Sequence, residues 1–400
     1  MIPGVTSAFS VPALNGIPVT HRDFTASVHV VTGHRRAGEP CDIDFPALVS
    51  TRGTLVFLMG LSALGDIASG LISAGMDPAT PAAVLEKGAT ARQRRISAPL
   101  CRLEQACLEA NAATPAIIIV GPVCALAERF SWLEKKPLFG VRVIVTRPRE
   151  LVSGLARLLR QEGAEVIELP AIRTVPVADD APVAAAIRRL EAGGFDWLVF
   201  TSPSGVRIFM DKLAEISDLR ALGGVKLAAI GEGTRKALQE RGLRADFLPT
   251  VYDGETLGRE LKAILPPGAR LLIPRAAIGN PELIGELNGF DLTDLPTYDT
   301  QYAQSPVIDA GALIDAGEID FCVFTSASTV RGFAASVPGA DLTKVNAVCI
   351  GRQTAAAARQ YGMNIRISQK ATLSSLVDCV IQSASQKASP AKGSCQPQAD

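Results

Sequence analysis

Residues 195–209 read FDWLVFTSPSGVRIF and residues 319–333 read IDFCVFTSASTVRGF, two stretches that are identical at nine of fifteen positions at an offset of 124. Each stretch begins with an apolar run rich in β-branched and aromatic residues, which is typical of a buried strand. A Thr-Ser pair ends the run, and a helical pattern follows. The repeat therefore predicts a strand, a hydroxyl-rich turn and a helix that occur twice in the chain.

The repeat extends beyond these two stretches. Three further pairs of segments match at a similar separation: 140–148 with 268–276, 165–174 with 291–300, and 226–234 with 346–354. A period this long does not suit a solenoid, whose repeats span about 20–50 residues. Two similar α/β units are therefore predicted over roughly residues 138–385.

A separate α/β module is predicted for residues 1–135. Four β-like runs alternate with helical patterns there and indicate a mixed sheet; they lie at 27–34, 53–60, 82–95 and 115–123. Residues 131–140, SWLEKKPLFG, mix charges, proline and glycine and predict a linker before the first duplicated unit. Residues 386–400 have no apolar period and are predicted to form a disordered tail.

The composition is that of a globular protein, with 48% hydrophobic residues. Forty basic and forty acidic residues balance, so no net charge attracts nucleic acid or an anionic membrane. The longest apolar stretch, residues 53–75, is broken by Asp66 and by glycines and falls short of the roughly 20 apolar residues of a membrane span. No basic segment precedes an apolar core near Met1, so we expect no signal peptide and a cytoplasmic location.

The cysteines and histidines predict no metal site. The eight cysteines form no CxxC pair and no metal-ligand spacing, so we expect reduced, mostly buried thiols. The three histidines, His21, His29 and His34, all precede the repeat. The duplicated units contain no histidine, so their function does not use an imidazole group.

The segments PGVTSA, GIPVTHRDF, VTGH, FLMG, EKG and PAIIIVG occur in this order within residues 3–121. Together they resemble the C-terminal half of uroporphyrinogen-III C-methyltransferase, a family that uses S-adenosylmethionine (SAM). The resemblance implies SAM contacts at Thr6, Ser7, Met59 and Gly88. Structural roles are the alternative: a helix cap at Thr6, core packing by Met59 and a turn at Gly88.

The N-terminal half of that family, with its glycine-rich first loop, has no counterpart in this sequence. SAM binds between the two halves in the family, so we expect only one wall of the site here. Methyl transfer needs the methyl donor held in line with the acceptor, and we therefore expect none from this chain alone. Three explanations are left open: a fragment, a misplaced start, and a split enzyme whose missing half is a separate chain.

The later segments FTSPSGV, IGEGT, TYDT, FTSAS and IGRQTA follow in an order that resembles uroporphyrinogen-III synthase, to about residue 385. The resemblance implies an α/β fold of two duplicated lobes with parallel sheets, preceded by the partial methyltransferase module. Lobe one is expected at 136–172 and 304–385, and lobe two at 179–296. Two extended connectors, 173–178 and 297–303, are expected to join the lobes.

The same resemblance implies a reaction. The family closes hydroxymethylbilane, a linear tetrapyrrole, into a macrocycle with its last ring inverted and water lost. A pyrrole nitrogen of the substrate expels the hydroxyl, so we expect neither a cofactor nor a metal. Tyr298 aligns with the tyrosine favoured in the family as proton donor, and the other copy of the repeat has Ile172 at that position. Packing of Tyr298 against the hinge is the structural alternative.

Four hydroxyl side chains occupy matching turns of the two units. Ser202 and Ser326 directly follow strands, and Thr234 and Thr354 are predicted to end turns just before helices. Free N–H groups at helix starts suit the substrate's carboxylates, so these four residues are candidate substrate ligands. The alternative is helix capping, worth about 1 kcal/mol each.

Arginines near the strand ends are the remaining candidates. Arg147 and Arg275 are predicted to pair with substrate carboxylates, as are Arg331 and Arg352; solvated side chains are the alternative. Two rival functions are left open for the chain. One is a SAM-dependent methyltransferase that a second chain completes, and the other is a non-catalytic, two-lobed binder of a small acidic molecule.

Overall fold

Within the residues that the structure describes, the chain contains three five-stranded sheets. The computed structural model describes residues 4–33, 43–147, 149–279, 281–303 and 308–388. The chain divides into two compact units, built from residues 1–143, 158–166 and 384–400 and from residues 144–157 and 167–383. The first unit holds the N-terminal module, and the second holds both copies of the repeated strand, turn and helix.

The N-terminal module is built on a mixed sheet, as predicted. Its strands are β1 (Val28–Thr32), β2 (Thr54–Leu58), β3 (Pro81–Glu86), β4 (Arg94–Pro99) and β5 (Ala116–Val120). They lie in the order β1-β2-β5-β3-β4, with β1 parallel to β2 and with β5 antiparallel to both β2 and β3. The prediction of four strands is wrong, because the single run at 82–95 divides into β3, a turn and the start of β4. Arginines and a proline weaken the strand signal of β4, which is an edge strand where such residues are tolerated.

Both faces of this sheet are covered. The helices are α1 (Ser7–Leu14), α2 (Phe45–Ser50), α3 (Leu64–Ser73), α4 (Leu100–Glu109) and α5 (Ala127–Phe130). Leu55 and Phe57 of β2 enter the apolar cluster formed with α3 and α4, whereas Val56 between them enters the cluster formed with α1. This alternation explains why β2 reads as a continuous apolar run.

The duplicated region contributes the other two sheets. Its strands are β6 (Arg142–Val145), β7 (Glu165–Glu168), β8 (Ile172–Pro176), β9 (Trp197–Phe200), β10 (Lys226–Ala229), β11 (Arg270–Ala276), β12 (Asp291–Tyr302), β13 (Phe321–Phe324), β14 (Asn346–Cys349) and β15 (Asn364–Ile367). Lobe two has the order β10-β9-β11-β12-β8, and lobe one has β15-β14-β13-β6-β7. The repeat relates the first four strands of lobe two to β14-β13-β6-β7, so the duplication seen in sequence is present in the fold. In lobe two these four strands are parallel.

Helices connect the strands of this region. They are α6 (Arg149–Gln161), α7 (Ala181–Glu191), α8 (Pro203–Ile216), α9 (Glu232–Glu240), α10 (Gly254–Lys262), α11 (Glu282–Glu286), α12 (Ala310–Asp315), α13 (Ala327–Ser336), α14 (Arg352–Arg359) and α15 (Leu373–Ala388). Gly163, at φ +95°, follows α6 in a left-handed conformation that suits glycine.

The two predicted connectors are extended, and they pair with each other. β8 runs antiparallel to the end of β12, with Tyr298 opposite Pro176 and Tyr302 opposite Ile172. β12 is one continuous strand that leaves the sheet of lobe two and becomes a connector. Backbone hydrogen bonds therefore hold the two crossings together between the lobes.

Matching aromatic pairs occupy the cores of the two lobes. Phe200 and Phe209 lie 5.9 Å apart between ring centroids, and Phe324 and Phe333 lie 5.4 Å apart, both at 67°. All four rings are fully buried. Each pair joins the strand of the repeat to its following helix in the edge-to-face geometry that aromatic rings prefer.

Three local predictions are wrong. α9 and α14 begin at Glu232 and Arg352, so Thr234 and Thr354 lie inside the first helical turn and not before the helix. The predicted tail begins too early, because α15 extends through residues 386–388. Residues 389–400 lie outside the described part of the chain. Among the described residues, no helix is both long and apolar enough to cross a membrane.

Candidate active-site cleft

The repeated Thr-Ser turns form helix caps in both lobes. Ser202 follows β9, and its Oγ accepts a hydrogen bond from the Gly205 N–H at 2.9 Å. Ser326 follows β13, and its Oγ accepts one from the Thr329 N–H at 3.2 Å. Free N–H groups at a helix start need acceptors, and a short hydroxyl side chain supplies one. The same sequence motif therefore makes the same local structure twice.

Both serines line one cleft of about 660 Å³. The polar side chains that lobe two and its connector contribute are Thr201, Ser202, Tyr252, Asp253, Arg275 and Tyr298. Those from lobe one are Ser326, Ser328, Arg331, Gln353 and Gln360. The cleft thus combines hydroxyls, amides and two guanidinium groups, donors that suit an acidic ligand, with one carboxylate, which is an acceptor.

Tyr298 is the most buried hydroxyl of the cleft. It lies on β12 with 6% of its surface exposed, and its Oη is 2.8 Å from Ser202 Oγ. Burial raises the pKa of the phenol, and the hydrogen bond from Ser202 opposes that rise. The phenol is therefore protonated at neutral pH and can deliver a proton. Its repeat counterpart Ile172 is buried on β8 and has no proton to give.

The two arginines of the cleft differ in whether a carboxylate already pairs with them. Arg275 lines the cleft, and both oxygens of the Asp294 carboxylate accept its hydrogen bonds at 2.6 Å, which raises the pKa of Arg275. Arg331 lines the same cleft, is exposed, and makes no hydrogen bond or ion pair with another described residue. Arg331 is therefore the cleft arginine whose charge is open to a ligand, whereas Arg275 already shares its charge with Asp294.

Several predicted ligands lie outside the cleft lining. Thr234 and Thr354 are buried, at 2% and 4% exposure, in the first turns of α9 and α14. Arg352 does not line the cleft either. Arg147 follows β6 and is largely buried, which lowers the pKa of its guanidinium, and its Nε has no hydrogen-bond partner among the described residues.

Sequence reasoning missed one helix start at the cleft. Asp253 caps α10, since its Oδ1 accepts a hydrogen bond from the Thr256 N–H at 2.7 Å. Asp253 and Gly254 line the cleft next to Tyr252. The sequence Asp-Gly-Glu-Thr, with an acidic cap and a glutamate in the first turn, is a signal that could have predicted this helix start.

Two of the predicted SAM contacts, Met59 and Gly88, lie at the same end of the module's sheet. Met59 directly follows β2 and Gly88 follows β3, and these two strands point the same way because both are antiparallel to β5. Thr6 caps α1 by accepting a hydrogen bond from the Ala8 N–H, and Ser7 is the first residue of that helix. A Cβ on Gly88 would lie 2.5 Å from Val11 of α1, so glycine is needed for this close packing. Met59 is 67% exposed, which contradicts the alternative role in core packing.

The fold and the cleft define a two-lobed α/β protein in which duplicated units face a buried phenol and a set of anion-binding donors. The family model described as uroporphyrinogen-III synthase HemD matches residues 153–378, and the model of tetrapyrrole (corrin/porphyrin) methylases matches residues 1–104. The porphyrin biosynthesis protein HemD of Ruminiclostridium josui is 40% identical over 385 residues, which cover 96% of this chain and 76% of that protein. The chain belongs to the uroporphyrinogen-III synthase family, as the sequence predicted, and is a cyclising lyase of porphyrin biosynthesis.

Two further relatives match in part. The uroporphyrinogen-III C-methyltransferase of Bacillus subtilis is 38% identical over 259 residues, which cover 64% of this chain and 51% of that protein. This chain thus spans about half of the methyltransferase. A solved mutant uroporphyrinogen III synthase of Thermus thermophilus is 24% identical, with a TM-score of 0.44, over 62% of this chain and 99% of that one.

Proposed function

We propose that the cleft between the lobes closes hydroxymethylbilane into uroporphyrinogen III, with the last ring inverted and water released. The observation that carries this proposal is the buried Tyr298 phenol, hydrogen-bonded to Ser202 within a cleft of hydroxyl, amide and guanidinium donors. A neutral acid beside anion-binding groups is what this closure needs from a protein.

Tyr298 acts on the leaving hydroxyl. Electrons from a pyrrole nitrogen of the substrate break the C–O bond, and Tyr298 protonates the departing oxygen as water. The Ser202 hydroxyl stabilises the resulting phenolate by donating a hydrogen bond, while the Gly205 N–H fixes the position of Ser202. The new C–C bond first forms at the substituted α-carbon of the last ring; the old bond from that carbon to its bridging carbon then breaks and re-forms at the ring's free α-carbon, which inverts the ring. Loss of the proton from that free α-carbon restores the phenol.

The substrate carboxylates bind to groups from both lobes. Arg331 provides the open positive charge, and Ser326 and the start of α13 provide hydrogen-bond donors. Arg275 adds a charge already shared with Asp294. Thr234, Thr354 and Arg147 lie outside the lining, so no contact with substrate is proposed for them.

An assay with hydroxymethylbilane and isomer analysis of the product tests this function. We expect uroporphyrinogen III in large excess over isomer I, the product of spontaneous closure. Isomer I alone, formed at the rate seen without protein, would contradict the proposal and leave a non-catalytic binder of the tetrapyrrole.

We propose that the N-terminal module does not transfer methyl groups by itself. Met59 and Gly88 fit one wall of a SAM site, since they follow β2 and β3 at the same end of the module's sheet, and SAM when bound would supply the methyl group. A separate chain that resembles the other half of the methyltransferase would complete the site. Calorimetric titration with SAM is expected to show no micromolar binding by this chain alone, and such binding would contradict the proposal.

We also propose that the protein acts in the cytoplasm. Six cysteines of the described residues are free, and burial raises the pKa of Cys107, Cys124 and Cys349. Buried free thiols suit a reducing compartment. Fractionation of the native cells, with the synthase assay as readout, tests this location.

A further inference from the structure

The two walls of the cleft differ in their apolar side chains. Lobe two contributes large ones, namely Ile230, Tyr252, Ile278 and Leu283. The apolar lining from lobe one consists of alanines, namely Ala327, Ala356 and Ala357. The duplicated lobes therefore do not offer equivalent surfaces to a ligand, and the hydrocarbon surface is concentrated on lobe two.

The absence of a side chain at a glycine leaves room for the ring of Tyr252. Its ring packs over Gly231, the residue that precedes α9, where an added Cβ would lie only 2.9 Å from the ring's Cγ. Gly351 occupies the matching position before α14 in lobe one, and no atom lies within 4 Å of a Cβ built there. Among the described residues, therefore, no ring packs over Gly351 as Tyr252 packs over Gly231. The Tyr252 ring is positioned in advance, with 37% of its surface exposed.

Ile278 presents its side chain to the same cleft with 95% of its surface exposed. The backbone on either side of it is attached to the site. The Ala277 N–H donates to the Tyr298 carbonyl oxygen at 2.8 Å, and Gly279 packs so closely on the Arg275 guanidinium that a Cβ there would overlap it. When a ligand covers an exposed aliphatic side chain whose backbone is anchored beside Tyr298, the free energy of binding becomes more favourable.

We propose that Tyr252 and Ile278 form an apolar platform that binds one pyrrole ring of hydroxymethylbilane. Binding of that ring holds the terminal ring of the substrate in the orientation that gives isomer III. The proposal rests on the proposed function and adds which wall orients the rings. Carboxylate contacts alone fix only the flexible side arms, whereas a ring packed on the platform fixes the ring face and its distance from Tyr298. In this arrangement lobe one holds carboxylate arms through Arg331, and lobe two holds the ring.

Removal of the platform side chains tests this inference. We expect Tyr252→Ala and Ile278→Ser each to raise the KM for hydroxymethylbilane about 10-fold, the loss expected when one buried apolar contact is removed. Both variants should also increase the fraction of isomer I under enzyme excess. Tyr252→Phe keeps the ring and should recover most of the loss.

A matched pair of glycine substitutions separates the platform from general damage. Gly231→Ala displaces the Tyr252 ring without removing it, whereas Gly351→Ala makes the same change at the matching position in open space. Both residues have extended backbones, so alanine causes no backbone strain at either. We expect Gly231→Ala to resemble Tyr252→Ala and Gly351→Ala to resemble the wild type, with thermal unfolding to verify the fold.

The outcomes distinguish this inference from the proposed function. If the wild-type chain forms no excess of isomer III, the proposed function fails. If the wild type does form it while Tyr252→Ala and Ile278→Ser keep the wild-type KM and isomer ratio, the platform alone is overturned. Equal effects of Gly231→Ala and Gly351→Ala would also overturn it.

Discussion

Tyr298 is the residue at which the symmetry of the two lobes breaks. Its hydroxyl lies 2.8 Å from Ser202 and its ring is buried, so the replacement Tyr298→Phe removes the acid and keeps the packing. We expect kcat to fall about 100-fold, the typical contribution of a positioned general acid. Steady-state kinetics with hydroxymethylbilane measures this.

A matched control for this change is Tyr302→Phe. Tyr302 lies on the same strand but is 55% exposed and outside the cleft lining, so its kcat should equal that of the wild type. Wild-type kcat in Tyr298→Phe would remove the catalytic assignment. A fall of the same size in both variants would point to disruption of β12 instead.

Ser202 and Ser326 are matched helix caps, but Ser202 alone of the two bonds to Tyr298. Substitution of either by alanine should lower the free energy of unfolding by about 1 kcal/mol through loss of the cap.

Ser202→Ala should also raise the pKa of Tyr298, because the hydrogen bond that opposes the effect of burial is lost. Spectroscopic titration of the tyrosines at alkaline pH measures this, and Ser326→Ala should leave the titration unchanged. An unchanged titration in Ser202→Ala would contradict the pairing.

At the scale of elements, the aromatic pairs attach each helix of the repeat to its strand. We expect Phe209→Ala and Phe333→Ala each to lower the free energy of unfolding by about 3–5 kcal/mol, because each leaves a cavity beside a buried ring. Urea unfolding measures the change. Phe130→Ala, at a ring that is 39% exposed, should cost much less. Similar small losses in all three variants would show that these pairs do not stabilise the lobes.

A second element-scale contact joins the starts of two neighbouring strands. Asp196, just before β9, accepts hydrogen bonds from the backbone N–H and the guanidinium of Arg270 on β11, which lowers the pKa of Asp196 to about 2. A carboxyl whose pKa is lower in the folded state stabilises the fold at any pH above its pKa in the unfolded chain. That stability is lost as the pH falls from about 4 to about 2. Asp196→Asn should therefore remove about 1 kcal/mol at neutral pH, a small value because both side chains are partly exposed.

Acid unfolding of this variant gives the measurement. The loss of stability between pH 4 and pH 2 should be shallower in Asp196→Asn than in the wild type. Asp378→Asn provides the control, since this carboxylate on α15 is exposed and makes no hydrogen bond or ion pair with another described residue. An unchanged acid transition in Asp196→Asn would exclude this linkage.

At the scale of the whole molecule, much of the fold could be predicted from the sequence. Four strands lie in the same order in both lobes because the repeat covers whole strand and helix units. The repeat and the apolar pattern within each copy identify these units. Helix caps at Ser202 and Ser326 were equally predictable. β4 was not, because its arginines and proline reflect the needs of an exposed edge and do not show a strand pattern.

The candidate site was less predictable than the fold. The cleft brings together side chains from Thr201 to Gln360, and the repeat located Ser202, Ser326 and Arg331 within it. The repeat did not reveal Tyr252 or Ile278, which lie outside the repeated segments. Thr234 and Thr354 were misplaced by one helical turn, and that shift buries their side chains.

The sequence by itself determined the duplicated strand, turn and helix, because apolar periodicity and helix capping act over a few neighbouring residues. Only the tertiary structure decided which side chains are available for chemistry. Ser202 and Tyr298 are 96 residues apart in the chain and meet only because β12 lies beside β11, the neighbour of β9, in the sheet of lobe two. Likewise, Asp294 shares the charge of Arg275 while Arg331 stays open, a difference that depends on which carboxylate the neighbouring strand places beside each guanidinium.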